Sequence, residues 1–259
     1  MKNKLLALLC ATALLAGSAI QAQNNQKPYW QDVEVVKVNK EYPRTSFMTF
    51  DNKANALSKR FEESKYYHSL NGTWKFFFVE GYKQLPENIT DPSVSTKNWA
   101  DIQVPGNWEV QGFGTAIYTN HGYEFQPRNP QPPTLPEMNP VGVYRRDMNI
   151  TADMLQRDLF LHIGGAKAGV YVYINGEEVG YSEDSKNPAE FKINDYVDAG
   201  NNTLVLKIFR WSTGSYLECQ DFWRISGIER DVYLLSQPKT HIRDFVVKSD
   251  LDETYTDGT

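Results

Sequence analysis

The chain reads as an all-β protein, a sandwich or a jelly roll, on three observations. Strand-length apolar and aromatic runs recur along most of its 259 residues, separated by loops, while helical periodicity is nearly absent. Asn175-Gly176 joins Val170-Tyr171-Val172-Tyr173-Ile174 to Glu177-Glu178-Val179-Gly180-Tyr181, a strong hairpin signal because both turn residues tolerate positive φ. Nothing alternates strand with helix as a doubly wound sheet would.

Taken in order, residues 1–22 read as a signal peptide. Lys2 and Lys4 precede an apolar run from Leu5 to Leu15, and small residues end near Ala22. A lipoprotein reading of Cys10 is the weaker one, because bulky Leu9 precedes it. Nothing later is apolar enough to span a bilayer, so no membrane span is expected. About 235 residues then remain, enough for one large β domain with a buried core. With the leader removed, Cys219 is the one thiol left, and the fold is expected to hold without an intramolecular disulfide.

Residues 23–65 are polar and mixed, with Tyr42-Pro43-Arg44 and a charged run at 59–63, and predict an extended arm lying on the folded body. The domain proper is expected over 66–237. It opens with a turn at Asn71-Gly72 and an aromatic strand at 74–79. Further strands are predicted at 102–104, 141–150, 158–163, 170–174, 179–182, 191–193, 203–209 and 232–235, each a β-branched or aromatic run bounded by turn residues. Between Gln126 and Pro140 the prolines remove donors and fix φ, which predicts a long, stiff, structured loop. After Pro238 a strand at 242–248 and a turn at Asp257-Gly258 read as the start of a second domain, truncated within residues 238–259.

A formal net charge of -5 and a pI near 5.5, with no basic cluster interleaved with aromatics, exclude nucleic acid as an expected partner. Aromatic content of 13% suits β packing and sugar stacking alike. His68, His121, His162 and His241 are too scattered for a zinc site. Gly164-Gly165-Ala166-Lys167-Ala168-Gly169 lacks the Lys-Ser/Thr ending of a phosphate loop. Cys219, with no identified His partner, reads as a small hydrophobe. The segment 211–232 mixes aromatics, arginines, carboxylates and glycines in no regular period. Arg210, Arg224, Arg230, Asp221 and Asp231 are expected to form a structural ion-pair network there.

Six motifs then run in one order: Leu70-Asn71-Gly72-Thr73-Trp74, Val104-Pro105-Gly106-Asn107-Trp108, Ile117-Tyr118-Thr119-Asn120, Asn139-Pro140-Val141-Gly142, Gly180-Tyr181-Ser182-Glu183-Asp184-Ser185 and the 211–232 segment. In these the chain resembles the N-terminal part of glycoside hydrolase family 2 enzymes, the bacterial lac-type β-galactosidases. The resemblance implies a galactose-binding-like jelly roll, then the first strand of a truncated immunoglobulin-like domain. It implies that the (β/α)₈ barrel with the catalytic pair of glutamates is absent, so no catalytic residue is assigned and this chain alone is expected to be inactive.

By the same resemblance Asn120 and Asp184 contact substrate, completing the galactose subsite of a retaining glycosidase, and Asp184 also binds Na⁺. An amide offers donors and an acceptor to sugar hydroxyls, and a carboxylate offers hard oxygen. Mg²⁺ in the full-length enzyme would have its ligands outside this chain, and no organic cofactor is implied. Implied partners are a β-galactoside or related glycan, the missing barrel and a second copy in a homo-oligomer; the leader, for its part, predicts export, to the periplasm. His121-Gly122 stands where well-studied members carry a β-branched pair, and Cys219 where they carry an acid. Two other readings remain: a free-standing carbohydrate-binding module, or a structural or oligomerisation domain of a related β-glucuronidase or β-mannosidase.

Overall fold

The computed structural model describes residues 27–126 and 128–258; the expected signal peptide, residues 1–22, lies outside them. Sixteen strands follow one another among these residues. The first eight are β1 (Lys37–Val38), β2 (Tyr67–Ser69), β3 (Gly72–Val79), β4 (Ala100–Val104), β5 (Gly106–Asn107), β6 (Ile117–Thr119), β7 (Val141–Ile150) and β8 (Asp158–Ile163). The rest are β9 (Ala166–Lys167), β10 (Gly169–Ile174), β11 (Glu177–Ser182), β12 (Ala189–Lys192), β13 (Gly200–Phe209), β14 (Phe222–Arg224), β15 (Gly227–Ile228) and β16 (Val232–Gln237). Two short helices, α1 (Lys53–Ser58) and α2 (Ala152–Leu155), are capped by the side chains of Asn52 and Thr151.

The architecture is a β-sandwich of jelly-roll type. A seven-stranded sheet runs β1-β11-β10-β13-β7-β3-β4 and faces a four-stranded sheet β12-β8-β16-β2. Every strand pair is antiparallel. Alternation decides what lies between them. Leu204, Leu206 and Ile208 of β13 point into the same cluster as Leu159, Leu161 and Ile163 of β8, and Trp74, Phe76 and Tyr144 fill it.

The opposite face of the large sheet is covered too, which is why β13 is buried almost throughout rather than alternately. Trp30, at 1% exposure, stacks on Phe209 at 4.8 Å between ring centroids, and Val205, Tyr171 and Trp99 complete this second cluster. A third cluster lies outside the small sheet, where Met48 packs with Tyr66, Phe160 and Leu235. Residues 27–50 therefore lie along both outer faces.

The hairpin at Asn175-Gly176 forms as its residues require, with φ of 53° and 86° and the register Ile174↔Glu177 leaving a two-residue turn. Asn71-Gly72 does something else: β2 and β3 belong to different sheets, so Gly72, at φ 118°, carries the chain across the sandwich. Residues 242–248 pair with no strand among the described residues. Instead Thr45 donates from its backbone to Asp244 Oδ1 at 2.8 Å and from its hydroxyl to the Phe245 carbonyl at 2.8 Å, so contacts to residues 41–47 replace a ladder.

Candidate functional site

Asn120 follows the two-stranded ribbon in which Thr119 pairs with Phe222, Tyr118 with Trp223 and Ile117 with Arg224. The Thr119 hydroxyl donates to the His121 carbonyl at 2.6 Å, turning the backbone around Asn120 and leaving it exposed. Asp184 follows β11 on an exposed turn at φ 80°, an uncommon conformation for a non-glycine residue. Its neighbours hold it there. Buried Glu183 accepts from Tyr181 Oη at 2.8 Å, the Thr213 hydroxyl at 3.0 Å and Gly214 N at 2.6 Å. Ser185 donates from its backbone and hydroxyl to Glu218, at 2.8 and 2.5 Å. The Asp184 carboxylate accepts from Asn187 Nδ2 at 3.0 Å on both oxygens.

One side chain joins the two candidates. Phe222, the cross-strand partner of Thr119, lies under the Lys186 ammonium at 5.2 Å from its ring centroid, and Lys186 is two residues from Asp184. Lys186 is itself held by Glu229 at 2.6 Å. The Asn120 ribbon and the Asp184 turn are thereby linked through Phe222 and Lys186.

The charges beneath correct the expected network. Arg210, Arg224 and Arg230 do not pair with Asp221 or Asp231. Arg210 lies 3.5 Å from Glu109, and Arg224, fully buried, 3.7 Å from Glu124. Arg230 donates to the carbonyls of Gly164 and Lys186. Asp221 accepts from Tyr118 Oη at 2.9 Å, and Asp231 from Asn71 Nδ2 at 2.9 Å. The acids that matter, Glu109, Glu124, Glu183 and Glu218, come from loops distant in sequence, and no local spacing exposed them. Burial drives the Glu183 carboxyl above its ordinary value despite its three donors, and drives the Lys167 ammonium below its own against the opposing pull of Glu124.

The Cys219 thiol sits 3.2 Å from the Ser215 carbonyl, and burial pushes it up, the opposite of an activated nucleophile. Among the described residues no three His, Cys, Asp or Glu side chains are grouped to hold a metal. Asp184 offers hard carboxylate oxygen of the kind a Na⁺ ion takes.

Residues 67–238 match the family described as glycosyl hydrolases family 2, sugar binding domain. The chain belongs to glycoside hydrolase family 2. It is 41% identical over 240 residues to a β-galactosidase of Priestia megaterium, a match covering 92% of this chain and 23% of that protein. Against a β-galactosidase of Vibrio cholerae it is 38% identical over 226 residues, 87% of this chain and 22% of that one. The chain thus spans less than a quarter of the length of these curated relatives. In fold it is similar to a β-glucuronidase from an uncultured Clostridium species, with a TM-score of 0.56 at 22% identity over 81% of this chain and 34% of that chain. A β-glucuronidase of Ruminococcus gnavus gives 0.51 at 17% identity over 74% and 33%.

Proposed function

We propose that this chain is the sugar-binding part of an exported β-galactosidase, in which Asn120 and Asp184 shape the galactose subsite while the glycosidic bond is cleaved by carboxylates supplied from elsewhere. The observation that supports it is the link through Phe222: the ribbon that carries exposed Asn120 and the hydrogen-bonded turn that carries exposed Asp184, distant in sequence, meet through the Phe222 ring and Lys186. Galactosides are favoured because the β-galactosidase relatives match over most of the chain at about 40% identity, whereas the β-glucuronidase likeness concerns fold alone. Asp184 would offer one oxygen to Na⁺, with the remaining ligands from the catalytic part.

In the longer enzyme, Asn120→Ala and Asp184→Ala should each lower kcat/KM on nitrophenyl β-galactoside by about tenfold or more, the scale of one lost polar contact to substrate. Asp184→Ala should also remove the response to Na⁺. Unchanged kinetics in both variants would sink the subsite reading, and turnover of nitrophenyl galactoside by the present chain alone would sink the division of labour.

A further inference from the structure

Between residues 40–48 and the small sheet lies a cleft of about 760 Å³, within the roughly 300–1,000 Å³ of small-molecule sites. Its other wall is built from β8, β12, β16 and the 184–188 turn. The first wall lies outside the family-matched stretch, so the shared domain alone does not make this cavity.

Four cationic side chains, Lys40, Arg44, Lys186 and Arg230, line it against five anionic ones, Glu41, Glu62, Asp184, Glu190 and Asp231, so its net charge is small. Glu190, 6% exposed, takes Arg44 through two hydrogen bonds of 3.0 and 2.6 Å and His162 Nδ1 at 2.9 Å. Lys186 is held by Glu229, Asp231 by Asn71, and Arg230 by backbone carbonyls. An ionic ligand drawn to Arg44, Glu190 or Lys186 would have to break an ion pair, whereas an uncharged one would not. The rim and floor carry rings. Tyr42 is 81% exposed and Phe61 49%, and Tyr67 and Tyr233 lie 4.6 Å apart, centroid to centroid. Beside them stand Asp184, Asn187 and Lys40, both acceptors and donors. Ring faces next to mixed hydrogen-bonding groups, with little net charge to satisfy, match the alternating C–H and hydroxyl faces of a pyranose.

We propose that this cleft binds an uncharged oligosaccharide, with Tyr42 and Phe61 stacking on pyranose faces and Asp184, Asn187 and Lys40 meeting hydroxyls. The cleft shares Asp184 with the proposed galactose subsite but extends away from it over Tyr42 and Phe61, and Asn120 lines no part of it.

Calorimetric titration of the full chain with cellotetraose, β-1,4-galactotetraose and xylotetraose tests this, with tetragalacturonate as the charged control. At least one neutral tetrasaccharide should bind with Kd below about 1 mM, and Tyr42→Ala and Phe61→Ala should each weaken it about tenfold. Val110→Ala, exposed and outside the cleft, should leave that affinity unchanged, and a loss on removing Tyr42 or Phe61, neither of them in the galactose subsite, separates the two sites. Both rings project from the surface, so the melting temperatures of the variants should match that of the parent. The idea is overturned if no neutral tetrasaccharide reaches about 1 mM, if binding survives both ring deletions, or if tetragalacturonate binds more tightly.

Discussion

Glu190 shows how much one buried carboxylate can organise. It collects Arg44 from the arm, His162 from β8 and Arg243, at 2.9 Å, from the segment after β16. Burial alone would raise its pKa, but the hydrogen bonds from His162 and Arg44 and the Arg44 charge outweigh that and hold it at about 2, below the ordinary 4.5. The sign follows. The stability it contributes is present in full above pH 4.5 and fades as pH falls toward 2, by at most about 3 kcal/mol. Urea unfolding between pH 6 and pH 2 should show that loss, and Glu190→Gln should flatten this part of the profile while lowering stability at pH 6 by about 3 kcal/mol, since two guanidinium groups lose their counter-ion.

At the scale of elements, hairpins and strands were legible because their signals are local. The Asn175-Gly176 turn is one: a β-carbon on Gly176 would meet φ 86° and the Pro92 ring at 3.0 Å. Gly176→Ala should cost about 1–2 kcal/mol in chemical denaturation. The proline-rich loop was also readable as structured, and Asn139 shows the anchoring. Fully buried, its amide donates to the Trp211 carbonyl at 2.8 Å and accepts from Trp211 N at 3.1 Å. Asn139→Ala should cost about 2–3 kcal/mol in the same measurement, because it leaves two buried backbone groups unpaired.

What stayed hidden were relationships between distant segments. Asn71-Gly72 looks like a hairpin turn, yet only the sheet assignment of β2 and β3 shows the chain crossing layers. The arginines at 210 and 224 find Glu109 and Glu124 roughly a hundred residues away. Asn120 and Asp184 were located by resemblance, and no periodicity or spacing would have found them. The role of Phe222 in joining them depends on strand register, which sequence alone does not fix.

At the largest scale, the apolar packing of the described residues is spread over three clusters, of which two lie outside the sandwich core. Trp30→Ala should lower unfolding free energy by about 3–5 kcal/mol, the cost of emptying a fully buried aromatic site. The export proposal is checked at the same scale. Expressed with its leader in a Gram-negative host, the mature chain should begin near residue 23 by N-terminal sequencing; an intact residue 1 on the folded product would contradict it.

The coverage of the large sheet by Trp30 bears on how the protein can be trimmed. A clone starting at residue 67, as the family match invites, would strip Trp30 from Phe209 and Tyr29 from Tyr171 and Tyr181, leaving those rings facing water as an oily panel. Such a shortened product should clump or fail to express, and its poor behaviour would say nothing about whether the domain recognises sugars.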